Sequence, residues 1–168
     1  MKNEINIDSW NRKEHFHFFS KFEEPFFGIT AELDCTHAYK ESKENDFSFY
    51  LYYLYLSLKA INETDEFKLR IDGNKVYRYD TINVSSTVLR DDRTFGFSFI
   101  YFHEDFNQFC CNAAKEIDHI KSTTGLQLNK NSSRLDTVHF SSIPWISFTG
   151  LTHARAFGKD DSVPKISI

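Results

Sequence analysis

The sequence predicts an α+β fold in a single domain, and three observations support this prediction. Its 168 residues fall within the usual size of one domain. Segments with helical apolar spacing are interspersed with short segments in which every second residue is apolar. No internal repeat, low-complexity segment or Pro- and Gly-rich linker divides the chain. Helices and strands are therefore expected to mix in one α+β domain over residues 1–168.

The first part of the chain predicts a helix followed by a strand. A cap at Asp8 or Ser9 begins a helix that runs to about Phe22, since aromatic residues recur there at helical spacing: Phe16, Phe19 and Phe22. Pro25 ends this helix. Apolar residues then alternate with more polar or small ones at Phe27, Ile29, Ala31 and Leu33, which predicts a strand covered on one face.

Two helices and a hairpin follow. Residues 36–43 favour a short helix, and Asn45 or Asp46 caps a long one that ends near Ile61. Apolar and polar residues also alternate in the long segment, so a strand remains an alternative interpretation. The length of the segment favours a buried helix. Asp72-Gly73-Asn74 lies between two short alternating runs, residues 67–71 and 75–79, and predicts a β-hairpin.

The second half predicts further strands around one helix. Strands are expected at residues 84–89, 94–101, 137–142 and 145–152, and a last one begins at 165–168. The helix spans about residues 104–121 and is closed by Gly125.

Composition and charge exclude several classes of protein. A net charge of −4 and a pI near 6.0, without basic runs, argue against nucleic acid as a partner. The three cysteines include the adjacent pair Cys110-Cys111, so they form no even disulfide framework, which indicates a reducing, cytoplasmic setting. The sequence has neither an apolar leader nor a run of roughly 20 apolar residues, so we expect a soluble protein without membrane contact.

No common catalytic or metal motif is present. The seven histidines are mostly isolated, and His15 and His17 face different sides of a helix, so no metal site is predicted. Cys110 and Cys111 fall within a helix and lack a signal for a lowered pKa. Glycine patterns for phosphate binding are absent. The aromatic content of 17% fits either a core built from rings or a pocket for a flat apolar ligand.

Two stretches carry a resemblance to a known family: Trp10-Asn11-Arg12-Lys13-Glu14-His15-Phe16 and Pro144-Trp145-Ile146-Ser147-Phe148-Thr149-Gly150. Between them lie, in order, the aromatic long helix, the hairpin of residues 67–80, Thr94-Phe95 and the helix entry at residues 105–109. Over nearly the whole chain this order resembles the chloramphenicol acetyltransferases. The resemblance implies a two-layer α/β sandwich of the CoA-dependent acyltransferase type, in which helices pack on one side of a mixed sheet.

The same resemblance implies a function. It points to an O-acetyltransferase that uses acetyl-CoA as co-substrate, acetylates chloramphenicol and so inactivates the antibiotic, without a metal. Family members are homotrimers in which the catalytic histidine of one subunit faces a pocket built largely by its neighbour. That histidine belongs to a late His-His-x-x-x-Asp-Gly motif, which does not occur up to Ile168. We therefore expect the base to lie beyond Ile168, and the domain to lack its C-terminal part here.

Site residues follow from the resemblance position by position. Residues that match the drug pocket of the family are Phe18, Phe19, Phe95 and Phe148, for each of which core packing is the alternative. Gly150 stands where relatives carry a serine that stabilises the tetrahedral intermediate. Thr152, on the same predicted strand face as Phe148 and Gly150, or a bound water could replace that hydroxyl. Arg12 matches the arginine that pairs with the aspartate of the late motif; a solvated charge is the alternative.

Two other functions stay open. The chain could be a non-catalytic, truncated homologue that binds a ligand or partner, or a CoA-dependent acyltransferase with another acceptor. A substitute base at His139 or His153 is disfavoured, because a relocated base also needs a new orienting partner.

Overall fold

The computed structural model describes residues 1–154 and 161–168. The α-helices of this part of the chain are α1 (Lys13–Phe19), α2 (Thr36–Glu44), α3 (Phe49–Glu63) and α4 (Phe106–Ser122). Single 3-10 turns lie at Ile7–Ser9 and Asp65–Lys68. The strands are β1 (Lys2–Glu4), β2 (Leu69–Asp72), β3 (Lys75–Tyr79), β4 (Asn83–Leu89), β5 (Phe95–Ile100), β6 (Thr137–Ser141) and β7 (Lys165–Ser167).

The strands form two sheets. The smaller sheet is antiparallel, with the order β1-β3-β2. The larger sheet has the order β5-β4-β6-β7, in which β4 is antiparallel to β5 but parallel to β6, and β6 is parallel to β7. The predicted α+β class with a mixed sheet is therefore confirmed.

Helices α3 and α4 pack on one face of the larger sheet and form the core with it. The buried residues of this core are Leu54, Tyr55, Leu58 and Ile61 of α3, Phe109 and Ala113 of α4, and Val84, Ile100, Val138 and Phe140 of the sheet, together with Ile82. Each large apolar side chain contributes about 1.5–3 kcal/mol when it leaves water. This arrangement confirms that helices cover one side of a mixed sheet.

The predicted start of the long helix α3 was wrong, and the capping residues explain why. Ser48, instead of Asn45 or Asp46, caps α3, and its hydroxyl accepts a hydrogen bond from the Leu51 amide at 3.4 Å. Asp46 takes φ = 52°, a left-handed value that suits the end of a helix, and the Phe47 amide bonds back to the Ser42 carbonyl. The turn at residues 45–47 therefore closes α2.

The hairpin prediction is confirmed. Asp72 and Lys75 pair directly, so a two-residue turn joins β2 and β3. Gly73 takes φ = 59°, which a glycine adopts without steric cost.

Three predicted elements are wrong or shortened. The first helix spans Lys13–Phe19 and not residues 8–22, because the chain makes a separate 3-10 turn at Ile7–Ser9. Residues 27–33 and 145–152 form no strand. Most side chains of both segments are exposed, and no described strand pairs with them. Alternation of residue types does not form a strand without a neighbour to complete its backbone hydrogen bonds.

Arg70 joins the two sheets. Its side chain is 1% exposed, and its guanidinium donates hydrogen bonds to four carbonyl oxygens at 2.7 Å: those of Phe67, Leu69, Leu135 and Thr137. Burial lowers the pKa of Arg70 to about 10, so the group stays charged at neutral pH. Because Leu135 and Thr137 lie at the start of β6, this one side chain fixes the hairpin strand β2 against the larger sheet.

Arg90 closes the C-terminus of α4 in a similar way. Its guanidinium donates to the carbonyl oxygens of Ile120, in the last turn of the helix, and of Gly125, in the loop that follows, each at 2.8 Å. Gly96 of β5 makes room for it: a Cβ at this position would lie 2.5 Å from Arg90 Nη2 and 2.8 Å from Ile120 Cγ2.

Replacing Arg70 by methionine should destabilise the protein. Four buried carbonyls would lose their donor, so we expect the free energy of unfolding to fall by about 2–4 kcal/mol. Denaturant titration followed by circular dichroism measures this. Arg78→Met is the matched control, because Arg78 pairs with Asp65 at the surface and should cost under about 1 kcal/mol. Equal midpoints for the two variants would refute the joining role of Arg70.

Gly96→Ala should also destabilise, because the methyl group displaces Arg90 or Ile120. We expect a loss of about 1–3 kcal/mol, the usual cost of overpacking. Gly28→Ala is the control, since nothing lies within 4 Å of its Cβ position. Thermal unfolding of both variants is the measurement, and an unchanged midpoint for Gly96→Ala would contradict the packing described.

Candidate active site

The face of the larger sheet that points away from α3 and α4, which we call the second face, carries the candidate site. Side chains alternate along each strand, and the other set lies in the helical core. The second face therefore contains Phe95, Phe97 and Phe99 of β5, Ser85, Thr87 and Leu89 of β4, Thr137, His139 and Ser141 of β6, and Lys165 and Ser167 of β7.

An aromatic strip, formed by Phe95, Phe97, Phe99 and Tyr101, runs along one side of this face. The Phe95 and Phe97 ring centroids are 5.5 Å apart, and those of Phe99 and Tyr101 are 5.1 Å apart, both edge-to-face. The guanidinium of Arg134 lies 5.2 Å from the Phe99 ring centroid. Such a strip offers flat apolar area for a ligand.

A polar row crosses the same face beside the strip. The register places Ser85 next to both Phe99 and His139, and His139 next to Lys165. Lys165 Nζ lies 2.5 Å from Asp161 Oδ2, so its charge is paired. Burial, and then the Lys165 charge, lower the pKa of His139 below its ordinary value. The imidazole is therefore uncharged at neutral pH.

Two irregular segments lie against the β7 end of the face. Phe26, which follows α1, places its ring 4.9 Å from Lys165 Nζ. His153 and Ser167 share a hydrogen bond of 2.9 Å between Nε2 and Oγ, which ties the segment after β6 back to β7. Both segments were predicted as strands; instead they approach the second face as loops.

The aromatic residues of α1 form a cluster of their own. Phe18 and Phe19 pack on Phe22 with centroid distances of 5.2 and 5.7 Å, and they are 59% and 51% exposed. None of these rings contacts the aromatic strip in the described part of the chain. Phe95 lies on the strip, and its role in a pocket stays a prediction.

Phe148, Gly150 and Thr152 do not share a strand face, so that part of the prediction is wrong. They lie on the irregular segment after β6, where Phe148 is half-buried and the other two are exposed. The space around Gly150 is free, since nothing lies within 4 Å of its Cβ position.

Arg12 makes a surface ion pair. Its Nη2 lies 3.4 Å from Glu66 Oε1, and both side chains are more than half exposed. The aspartate with which Arg12 is expected to pair belongs to the late motif, which does not occur in residues 1–168, so this pairing stays a prediction.

The polar row was not predicted from the sequence. His139 appeared as an isolated histidine, and Ser85 and Lys165 carried no motif. The alternation within β6 was the available signal: Val138 and Phe140 point to the core, which leaves His139 on the opposite side. The neighbours of His139 depend on strand order and register, which the sequence pattern does not specify.

A cleft of about 410 Å³ lies at the outer edge of β5, between this strand, α4 and residues 127–131, and Phe99 and Tyr101 of the aromatic strip also line it. Glu116 accepts a hydrogen bond from the Phe99 amide at 3.0 Å, and the Leu126 carbonyl accepts one from Phe97 at 3.0 Å. The edge of β5 is thereby protected against pairing with another strand.

Three further findings concern cofactors and surroundings. Residues 1–154 and 161–168 hold no group of three His, Cys, Asp or Glu side chains arranged to bind a metal ion. No helix in the same residues combines the length and apolar character needed to cross a bilayer. Cys35, Cys110 and Cys111 are free thiols.

Comparison with known proteins shows the family and the fold. Residues 1–164 match the family model described as chloramphenicol acetyltransferase. A solved structure of a chloramphenicol acetyltransferase aligns with a TM-score of 0.90 at 32% sequence identity, covering 99% of this chain and 81% of that chain.

Several chloramphenicol acetyltransferases are similar in sequence. That of Proteus mirabilis is 27% identical over 146 residues, which cover 86% of this chain and 66% of the relative. That of Clostridium perfringens is 29% identical over 150 residues, covering 88% and 68%. Chloramphenicol acetyltransferase 2 of Haemophilus influenzae is 27% identical over 158 residues, covering 94% and 73%. The chain thus spans about two thirds of the length of these relatives.

Proposed function

Because this chain belongs to the chloramphenicol acetyltransferase family, we propose that it transfers the acetyl group of acetyl-CoA to a hydroxyl group of chloramphenicol. The match over residues 1–164, with the same fold at a TM-score of 0.90, carries this proposal. In the reaction the hydroxyl oxygen attacks the thioester carbonyl, an ester forms, the hydroxyl proton passes to a base, and the CoA thiol leaves. The acetylated antibiotic is the product.

The second face and its flanking segments supply the walls of the acceptor pocket in this proposal. Phe95 and the rest of the aromatic strip hold the acceptor ring, with Phe18, Phe19 and Phe148 completing the pocket. The base is the histidine of the His-His-x-x-x-Asp-Gly motif, which does not occur in residues 1–168. Arg12 holds the aspartate of that motif and so orients the catalytic loop.

The stabilisation of the tetrahedral intermediate differs from the family pattern at one position. Gly150 has no hydroxyl to offer to the developing oxyanion, and the exposed Thr152 hydroxyl or a water replaces that donor only in part. Loss of one such donor typically lowers the rate by about 10²–10³-fold. The proposed enzyme is therefore slower than a relative with serine here.

We propose further that the protein is a cytoplasmic homotrimer. Large apolar side chains are exposed on α1 and on both irregular segments, a pattern that marks contact surfaces: Phe18, Phe19, Phe22, Phe27, Ile29, Leu33, Trp145, Ile146 and Leu151. The free thiols of Cys35, Cys110 and Cys111 fit a reducing compartment. Light scattering tests the assembly, and a monomer at micromolar concentration would refute the trimer.

The activity is tested with the protein as its gene encodes it, after its intact mass has been measured. Acetyl-CoA and chloramphenicol are mixed with the protein, and a thiol reagent records CoA release. Release that depends on chloramphenicol, with formation of the acetyl ester, is the expected result. Calorimetry with chloramphenicol and CoA accompanies the assay. Binding without release would replace the enzyme by a binding protein, and absence of both would overturn the proposal.

Gly150→Ser should accelerate acetyl transfer. The space around Gly150 accommodates the side chain, and the added hydroxyl restores an oxyanion donor. We expect kcat to rise at least about tenfold, since such a donor is worth up to about 10²–10³-fold.

Gly28→Ser is the matched control, because position 28 also has nothing within 4 Å of its Cβ position. Its kcat should stay within about twofold of the wild type, and thermal unfolding should show all three proteins equally folded. An unchanged kcat in Gly150→Ser would mean that another group already stabilises the oxyanion.

A further inference from the structure

Ser85 and His139 are adjacent polar side chains on the second face of the larger sheet. The parallel register of β4 and β6 pairs the two residues, so their side chains lie next to each other on the second face. Neither the Ser85 hydroxyl nor the His139 imidazole makes a hydrogen bond to any residue that the structure describes. Their neighbours on the core side of the same strands, Val84 and Val138, are fully buried.

The polar atoms of this pair stay accessible on the second face. Ser85 is 9% exposed and His139 is half-buried, yet neither side chain holds a fully buried polar atom that lacks a partner; among the described residues such an atom occurs at Arg78 Nε. An uncharged imidazole offers one donor and one acceptor, and a serine hydroxyl offers both as well. The two side chains together therefore present hydrogen-bonding capacity that a ligand can use.

The charges around His139 select the type of ligand group. Lys165, the cation beside it, is paired with Asp161, and His153 bonds to Ser167. The guanidinium of Arg70 already donates its hydrogen bonds to carbonyl oxygens. Since no unpaired cation of the described residues faces the pair, a neutral hydroxyl or amide fits this place better than an anion.

The aromatic strip lies at a fixed distance from the pair. Phe99 is next to Ser85 on one side and His139 is next to it on the other, so two strand spacings, about 10 Å, separate Phe99 from His139. An acceptor that places a ring on the strip can therefore reach His139 with a polar group at the other end of a drug-sized molecule.

We propose that His139, together with Ser85, binds a neutral hydroxyl or amide group of the acceptor and thereby selects aromatic acceptors that carry such a group. This inference rests on the acetyltransferase function proposed above and assigns a specificity-determining role, not the catalytic base. The ring of the acceptor lies on the aromatic strip, and its polar substituent bonds to the imidazole.

Calorimetry with chloramphenicol, which carries both a ring and an amide, tests the proposal on the wild type, His139→Leu and His139→Gln. Leucine removes both hydrogen-bonding atoms at similar volume, so the dissociation constant should rise about fivefold to tenfold. Glutamine keeps a donor and an acceptor and should stay within about threefold of the wild type. His37→Leu, on the exposed side of α2, is the matched control and should bind like the wild type.

Kinetics separate this role from a structural or chemical one. In His139→Leu the KM for chloramphenicol should rise, while kcat and the KM for acetyl-CoA stay within about twofold. Equal affinity of wild type and His139→Leu would overturn the inference and leave the proposed function intact. A fall in kcat alone would overturn it as well, and a wild type that neither binds nor acetylates chloramphenicol would overturn both.

Discussion

The fold depends on one buried cation. Arg70 reaches from the hairpin sheet to the first residues of β6, and its four hydrogen bonds to carbonyl oxygens hold the two sheets in one position. Within residues 1–154 and 161–168 no carboxylate bonds directly to this charge, so carbonyl dipoles offset its desolvation, and its pKa falls to about 10 but stays above neutral pH. Since β6 carries His139, the same contact also fixes the position of His139 on the second face. Stability and site geometry therefore depend on the same side chain.

The two faces of the larger sheet divide the aromatic content between them. On the helical face Tyr55 packs against rings of α4 and builds the core. On the second face Phe95 and its neighbours form the aromatic strip, which borders a polar row instead of a helix. The composition fitted both a ring-built core and a ligand pocket, and the structure places rings both in the core and on the second face. The period-2 alternation of β5 separates the two uses, because Gly96, between Phe95 and Phe97, faces Arg90 and α4.

The sequence predicted those elements whose local pattern and tertiary neighbours agree. Helices α3 and α4 and the hairpin at Gly73 combine strong periodicity with caps or turn residues, and their positions were correct to within a few residues. Apolar and polar residues alternate in segments 27–33 and 145–152 as clearly as in a strand. Both segments are nevertheless irregular, because no described strand pairs with them. For the site, the family resemblance matched Phe95 to a drug-pocket position, which stays a prediction, whereas the neighbours of His139 depend on β4 and β6 lying side by side. That adjacency is a property of topology, which no single-sequence pattern encodes.

The parts of the site differ in how firmly the backbone holds them. Ser85, His139 and Phe99 sit on three strands joined by ladder hydrogen bonds, so the spacing between aromatic strip and polar row is set by the sheet itself. Gly150 lies on an irregular, exposed segment that is tied to β7 through the His153–Ser167 bond. In the proposed mechanism, recognition of the acceptor therefore rests on the sheet, while oxyanion stabilisation depends on the irregular segment. A substitution on the sheet should therefore change which acceptor binds, and a substitution on that segment should change how fast a bound acceptor reacts.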